Sequence, residues 1–312
     1  MNEPTIWRLH LKTKGKAFSS HQNNTTYDYF KLYQFCRENG IIGLGWSAFS
    51  KRIEKKDELQ KIVKEPKAFK AINAMRQIEI GDLIWTRSSK QVYYLCKVTK
   101  PWKETQPNAN HMEYDIANYV NVDWLEIGTE DKVPGKVVAS FRPNRTLQRV
   151  NNSNLITKHI WNKFSGVETY STTTKKESES IWNLLHSEQI EELFLLYLQI
   201  CKELKVYTST VKPSEPRYEC IMVNSKGQLF YPQVKSGKNQ LYAEEYRDIV
   251  ERDSSAEVYL FATSQQYGSY QHERIHCVNT ETLDEFNKKH KEILPAITRE
   301  WLSLHDRLMQ KT

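Results

Sequence analysis

The sequence predicts an α+β protein of two domains, and three observations predict it. Strand-like alternation and helical spacing of apolar residues follow one another along the chain. The stretch GVETYSTTTKKESES, from Gly166 to Ser180, is rich in Ser, Thr and charge and nearly free of large aliphatics, as a linker is. The charge also changes sign near it: residues 1–165 hold 27 Lys and Arg against 16 Asp and Glu, and residues 166–312 hold 18 against 22. The expected organisation is a domain over 1–165, a linker over 166–180 and a domain over 181–312. At 312 residues the chain is long enough for two cores.

In the first segment, TIWRLHLKT alternates as a strand. YDYFKLYQFCREN has helical spacing and stops at Gly40, a good residue just past a helix end. IIGLGW reads as a Gly-interrupted strand or turn, and DELQKIVKEPKAFKAINAMRQI as helix broken or restarted near Pro66. GDLIWTRSS and VYYLCKVTKPW form a hairpin across a short polar turn. YVNVDWLEI adds a strand, and VPGKVVASFRPNRTLQRV closes the segment. Antiparallel strands dominate, which predicts a curved sheet or partial barrel with helices.

The second segment reads as helix, strand, turn, strand, helix, strand and a helical tail from Thr282, which is an α/β layer. SEQIEELFLLYLQICKEL is its first helix, with Ser187 as the expected N-cap. RYECIMVN and LFYPQVKSG are strands around the SKGQ turn, NQLYAEEYRDIVE is a helix, and AEVYLFAT is a buried strand. In LFYPQVK, Gln233 and Lys235 share one face while Val234 takes the other. Pro232 suits an edge strand with one solvated face; the other reading places something anionic on the Gln233/Lys235 face.

Composition narrows the classes. No apolar run reaches the roughly 18 residues of a membrane span, and the start MNEPTIWRLHLKTKGK has no basic flank followed by an apolar core, so no signal peptide is expected. The five cysteines are scattered and never in CxxC spacing. That argues for a reducing, cytoplasmic location and against a disulfide framework or zinc site. Cys220 reads as a small core residue. The nine histidines show no metal spacing and are assigned to surface and packing roles. A basic first half bearing Trp and Tyr is a reasonable footprint for nucleic acid.

Glu219, Gln233 and Lys235 form the constellation that carries chemistry. In a hairpin of this length Glu219 can face the Gln233/Lys235 side. Hard Mg²⁺ takes oxygen ligands, usually one or two carboxylates plus phosphate and water. A lysine can position a nucleophile or stabilise an anionic transition state. The pattern resembles the PD-(D/E)XK nuclease superfamily, and more closely its Mrr-like restriction endonucleases, in which a QxK signature is common; here it is Gln233-Val234-Lys235. The resemblance spans about residues 187–265. It implies a restriction-endonuclease-like α/β domain, Mg²⁺ or Mn²⁺ held by Glu219 and Gln233, catalytic roles for Glu219, Gln233 and Lys235, and a helix acid at Glu191, with Glu192 as the other candidate. Two departures are Glu219 in place of the usual Asp and Pro232 immediately before the signature.

Over residues 5–150, Gly43-Leu44-Gly45-Trp46, the Gly81-Asp82 turn and the strand with Asp123-Trp124-Leu125 are similar to the PUA-like superfamily, particularly EVE-type modules. The resemblance implies a reader that extracts a modified base from the stack. Trp46 and Trp85, with Tyr94 third, are the candidate pocket walls, and Gly43 and Gly45 would allow close backbone approach. Arg8, Lys12, Lys14 and Lys16 are candidate phosphate contacts. Together the two resemblances imply a modification-dependent DNA endonuclease acting against phage or foreign DNA, and double-strand cutting implies a homodimer. The alternatives are a non-catalytic nucleic-acid sensor on a degenerate nuclease fold, and an RNA reader joined to an RNase.

Overall fold

The computed structural model describes residues 3–13, 29–46, 53, 55–172, 180–211 and 217–309. It is mixed α+β, with a curled half-barrel sheet, and divides into two compact units, Met1–Thr173 and Thr174–Thr312. Lys14, Lys16 and positions 173–179 of the expected linker lie outside the described residues. Among the described residues no helix is long and apolar enough to cross a membrane.

The first unit runs β1 (Ile6–Leu9), α1 (Tyr29–Glu38), β2 (Ile41–Leu44), α2 (Lys56–Ile62), α3 (Pro66–Met75), β3 (Leu83–Arg87), β4 (Tyr93–Lys100), α4 (Ala109–Glu113), β5 (Asn118–Gly128), α5 (Gly135–Ser140), β6 (Leu147–Arg149) and α6 (Asn154–Ser165). Its sheet has the order β2-β5-β4-β3-β1-β6, antiparallel except for the β1–β3 pair. Gly40, at φ +59°, turns the chain from α1 into β2. Pro66 stands in the first turn of α3, where its missing N–H costs nothing, so the expected break is a boundary between two helices. The β3–β4 hairpin closes through Ser88 N–H on the Val92 carbonyl. Asp82 fastens the centre of the sheet: its carboxylate accepts from Thr5 N and from Trp7 Nε1, both at 2.8 Å. Burial raises the Asp82 pKa and these donors oppose that rise. The Gly81-Asp82 turn is therefore a staple between β1 and β3.

The second unit runs α7 (Ile181–Leu184), α8 (Ser187–Cys201), β7 (Lys205–Val206), β8 (Met222–Val223), β9 (Leu229–Lys235), α9 (Arg247–Arg252), β10 (Glu257–Ala262), β11 (Ile275–Val278), α10 (Thr280–Lys289) and α11 (Ala296–Met309). The sheet order is β11-β10-β9-β8-β7. Strands β9, β10 and β11 are parallel, and β8 and β7 return antiparallel. The two strands absent from the sequence reading, β7 and β11, are the edges. The helical tail is two helices, and the first starts at Thr280 on an Asn279 cap that accepts from Thr282 N. His186, not Ser187, caps α8, its N–H donating to Gln189 Oε1 at 3.0 Å. The helix expected over 239–251 is shorter: a 3₁₀ turn at Ala243–Tyr246 leads into α9.

Strand β9 is the middle of this sheet, which corrects the edge reading of Pro232. Proline survives there because the β8–β9 ladder lapses beside it. Met222 pairs with Phe230, a register that would bring Cys220 opposite Pro232. Pro232 offers that partner no N–H. The Pro232 carbonyl instead accepts from Glu219 N at 2.9 Å, one residue out of register. The stretch before Met222 is consequently irregular, and Glu219 lies on it and not within a strand.

Candidate functional site

The cluster expected in the second half is assembled where that ladder fails. The Val234 N–H needs an acceptor on the β8 side, and Glu219 Oε1 supplies it at 3.2 Å. The same oxygen accepts from Gln233 Nε2 at 3.1 Å, and Gln233 Nε2 also reaches the Val234 carbonyl at 3.1 Å. Arg217 pins the approach to this stretch by pairing with Asp248 on α9. The carboxylate of Glu219 thus substitutes for a strand carbonyl, which fixes its position against β9.

The two faces of β9 differ from expectation in their cover. Val234 pairs in register with Phe261, whose ring stacks on Phe194 of α8 at 5.5 Å between centroids. Gln233 pairs with Leu260, which packs with Leu241, Tyr246 and Val250. Both faces are covered, and Gln233 is only 2% exposed. Its Nε2 is used twice, yet its Oε1 is buried without a hydrogen-bond partner among the described residues. Lys235 stands at the carboxyl end of the strand, half-buried. In open sheets of parallel strands, that end is where ligands bind. Its Nζ forms no hydrogen bond or ion pair among the described residues, and its charge opposes the rise in the Glu219 pKa.

Glu191, on α8, belongs to the same neighbourhood. Its pKa is pushed up to about 7, first by burial and then by the negative charge of Glu219, with Glu188 and Glu192 adding to it. Burial raises the Glu219 pKa too, against the Val234 N–H and Lys235. Two carboxyls close enough to disfavour each other's charge compete for one proton or share one cation. Among the described residues no group of three or more His, Cys, Asp or Glu side chains is placed to hold a metal. The Gln233 amide turns its nitrogen to Glu219; rotated so that its oxygen joins the carboxylate, it would complete a two-oxygen set, the kind that suits Mg²⁺ when phosphate and water fill the shell. Cys220 is buried, and its thiol pKa is raised to about 12 by burial, then by Glu191 and Glu219. It is a packing residue and no nucleophile.

In the first unit the three aromatic candidates part company. Trp85 is fully buried on β3, its Nε1 donating to Thr157 Oγ1 of α6 at 3.2 Å. It is a core residue, and the pocket role expected of it is withdrawn. Trp46, in the left-handed region at φ +59°, packs between the main core and the small cluster of Leu59, Val63, Ala68 and Ile72. Gly43 and Gly45 do allow close approach, but to the chain itself. A Cβ on Gly43 would lie 2.5 Å from the Asn118 carbonyl, and one on Gly45 2.2 Å from Asp115 Oδ2.

Tyr94 lines a cavity. The cavity, of about 490 Å³, is bounded by α1, the β3–β4 turn, β4 and β5, and includes Tyr33, Arg37, Tyr94 and Trp124. The ring centroids of Tyr94 and Trp124 are 5.6 Å apart, and those of Tyr33 and Tyr94 are 5.9 Å apart. Two polar tips are tied into the backbone, Tyr33 Oη to the Arg87 carbonyl at 2.5 Å and Trp124 Nε1 to the Ile41 carbonyl at 3.2 Å. Arg37 lies over Tyr94, 5.0 Å from its centroid, and pairs with Glu126 at 3.5 Å. The result is a rigid aromatic corner with one cation, suited to a flat ring. Tyr33 and Trp124 were missed as wall residues because each lies in an apolar pattern that reads as core.

Of the basic candidates, Lys12 is exposed, whereas Arg8 is fully buried, its Nη1 donating to the Arg145 carbonyl. Burial, then Arg145 and Arg87, lowers the Arg8 pKa to about 10. Arg8 sits 5.3 Å from the Phe141 centroid, with Arg87 5.2 Å from the same ring. This arrangement holds the sheet against α5 and leaves Arg8 unavailable at the surface. No protein-family model matches the chain, and no curated protein or solved structure matches it.

Proposed function

We propose that the protein is a modification-dependent DNA endonuclease, with a PUA-like reader in the first unit and a PD-(D/E)XK-type nuclease in the second. One observation carries the reading: Gln233 bonds the Glu219 carboxylate, its own amide oxygen is buried with no hydrogen-bond partner among the described residues, and Lys235 stands two residues along the strand. A buried amide oxygen without a partner is an open acceptor that a bound ligand would satisfy. The order of elements is consistent with this, since α8, the β7–β8–β9 meander and α9 lead into the parallel strand β10.

In this reading Glu219 and Gln233 would hold Mg²⁺ or Mn²⁺. Bound there, the cation supplies charge neutralisation at the phosphodiester and a more acidic water. Lys235 contributes its positive charge to the developing oxyanion and orients the attacking water. Glu191, its pKa pushed up to about 7 by burial and then by Glu219, could take or return a proton near neutral pH. In the reader, Tyr33, Tyr94 and Trp124 receive an extruded base, and stacking contributes about 1–3 kcal/mol.

The test is cleavage of unmodified, methylated, hydroxymethylated and glucosylated DNA with Mg²⁺ or Mn²⁺, with RNA as a further substrate. Cutting of a modified DNA alone is expected, with Lys235→Ala slowing it about 10²–10³-fold. Cutting of every DNA would remove the modification dependence, and preference for RNA would reassign the substrate. A second reading, a non-catalytic sensor, is favoured by one contact: Gln233 Nε2 already satisfies Glu219 Oε1 within the chain. Binding without cleavage of any substrate would decide for it.

A further inference from the structure

A second cavity, of about 410 Å³, lies among α7, α10 and α11 and shares no residue with the Glu219 cluster. Its walls carry Asp284, Asn287, Lys288, Lys291, His305 and Asp306. Asn287 is 2% exposed, and neither its Nδ2 nor its Oδ1 has a hydrogen-bond partner among the described residues. Nearly all buried side-chain polar atoms are paired, and an unpaired buried amide forfeits the bonds that water would give it. The neighbouring buried positions of α10 are apolar, Leu283 and Phe286. An apolar residue at 287 would continue that face with no desolvation penalty. The carboxamide on the cavity wall is therefore open to pair with a bound group.

Its chemistry narrows what that group is. An amide with donor and acceptor both free complements an edge that presents an acceptor beside a donor, as a nucleobase does; Asn pairs in this way with the N6/N7 edge of adenine. The rest of the lining supplies partners for the remainder of such a molecule. The Asp284 and Asp306 carboxylates accept from sugar hydroxyls, and the Lys288 and Lys291 ammonium groups suit a phosphate. Burial raises the Asp284 pKa, and the charges of Lys288 and His305 oppose that rise. The volume is that of a small-ligand site. We propose that this cavity is a nucleotide-binding site, with the base edge read by Asn287 and the phosphate held by Lys288 and Lys291. The proposal does not depend on the nuclease reading.

The experiment is thermal unfolding and titration calorimetry of the full chain with the four ribonucleoside 5′-monophosphates, adenosine and inorganic phosphate. At least one nucleotide is expected to raise Tm in proportion to the logarithm of its concentration. Asn287→Leu, close in volume, is expected to fold with an unchanged or higher Tm and to bind at least tenfold more weakly. Lys291→Ala, on the cavity rim, should weaken the nucleotide several-fold and leave adenosine unaffected. Lys235→Ala should bind as the parent does, which separates this cavity from the nuclease cluster. No binding of any nucleotide at millimolar concentration overturns the proposal. Equal binding by Asn287→Leu, or by inorganic phosphate alone, overturns it as well. Should Asn287→Leu fail to fold, the Lys291→Ala comparison carries the decision.

Discussion

At the scale of single residues the second unit is governed by carboxyls held away from water. Glu191 titrates at about 7 in the folded chain, against an ordinary value of 4.5. A raised folded pKa means that the native state binds the extra proton, so its contribution to stability is complete below about pH 4.5 and is lost as pH rises through about 7. The metal-free protein is therefore expected to lose on the order of 1–2 kcal/mol of stability over that window, a figure discounted for solvent around a half-buried group. Denaturant unfolding at several pH values would measure it, and Glu191→Gln should flatten the profile. Mn²⁺ should reverse the trend, because a cation beside Glu219 favours the ionised pair. Its affinity by calorimetry is expected to rise about tenfold per pH unit up to about pH 7, where one proton leaves for each ion bound. An affinity independent of pH would separate Glu191 from the cation site.

At the scale of elements, the first unit distinguishes an aromatic residue that holds the fold from one that borders a cavity. Trp85 on β3 is enclosed beneath α6, so Trp85→Ala should cost about 3–5 kcal/mol of stability and lower the Tm of that unit. Tyr94 on β4 and Trp124 on β5 border the cavity of α1 and the β3–β4 turn. Each changed to Ala is expected to weaken modified DNA by roughly 1–3 kcal/mol, about 5- to 150-fold, with little effect on unmodified DNA. Fluorescence anisotropy with matched duplexes would read the difference. Equal losses on both duplexes would assign the cavity to structure. In the second unit the corresponding lesson concerns Pro232: a missing N–H in a central strand interrupts one ladder, and the interruption gives Glu219 its place against β9.

At the scale of the molecule, two compact units carry opposite charge balances. The basic first unit should supply the salt-sensitive share of DNA affinity, so binding is expected to weaken steeply as salt rises from about 50 to 200 mM. In the proposed nuclease, one Glu219–Gln233–Lys235 cluster per chain would serve one strand at a time, and double-strand cleavage would then call for two chains. Sedimentation velocity with cognate DNA is expected to show a species with two copies. A profile that stays monomeric while both strands are cut would refute this and point to sequential nicking.

The sequence by itself determined the mixed α+β class, most elements of each unit and the short list from which the second site is drawn. Alternation and helical spacing are local, and the residues of Gln233-Val234-Lys235 share faces by the two-residue period of any strand. The tertiary structure decided what locality leaves open. The short strands β7 and β11 form only because β8 and β10 offer them edges, so no periodicity of their own announces them. The middle position of β9, and with it the burial of the Gln233 oxygen, depends on cover from both faces. Trp85 and Tyr94, nine residues apart and both aromatic, read alike in the sequence. The packing of α6 over one and the opening beside α1 at the other separate them, because burial is a property of the neighbours that the folded chain brings, and those neighbours are remote in sequence.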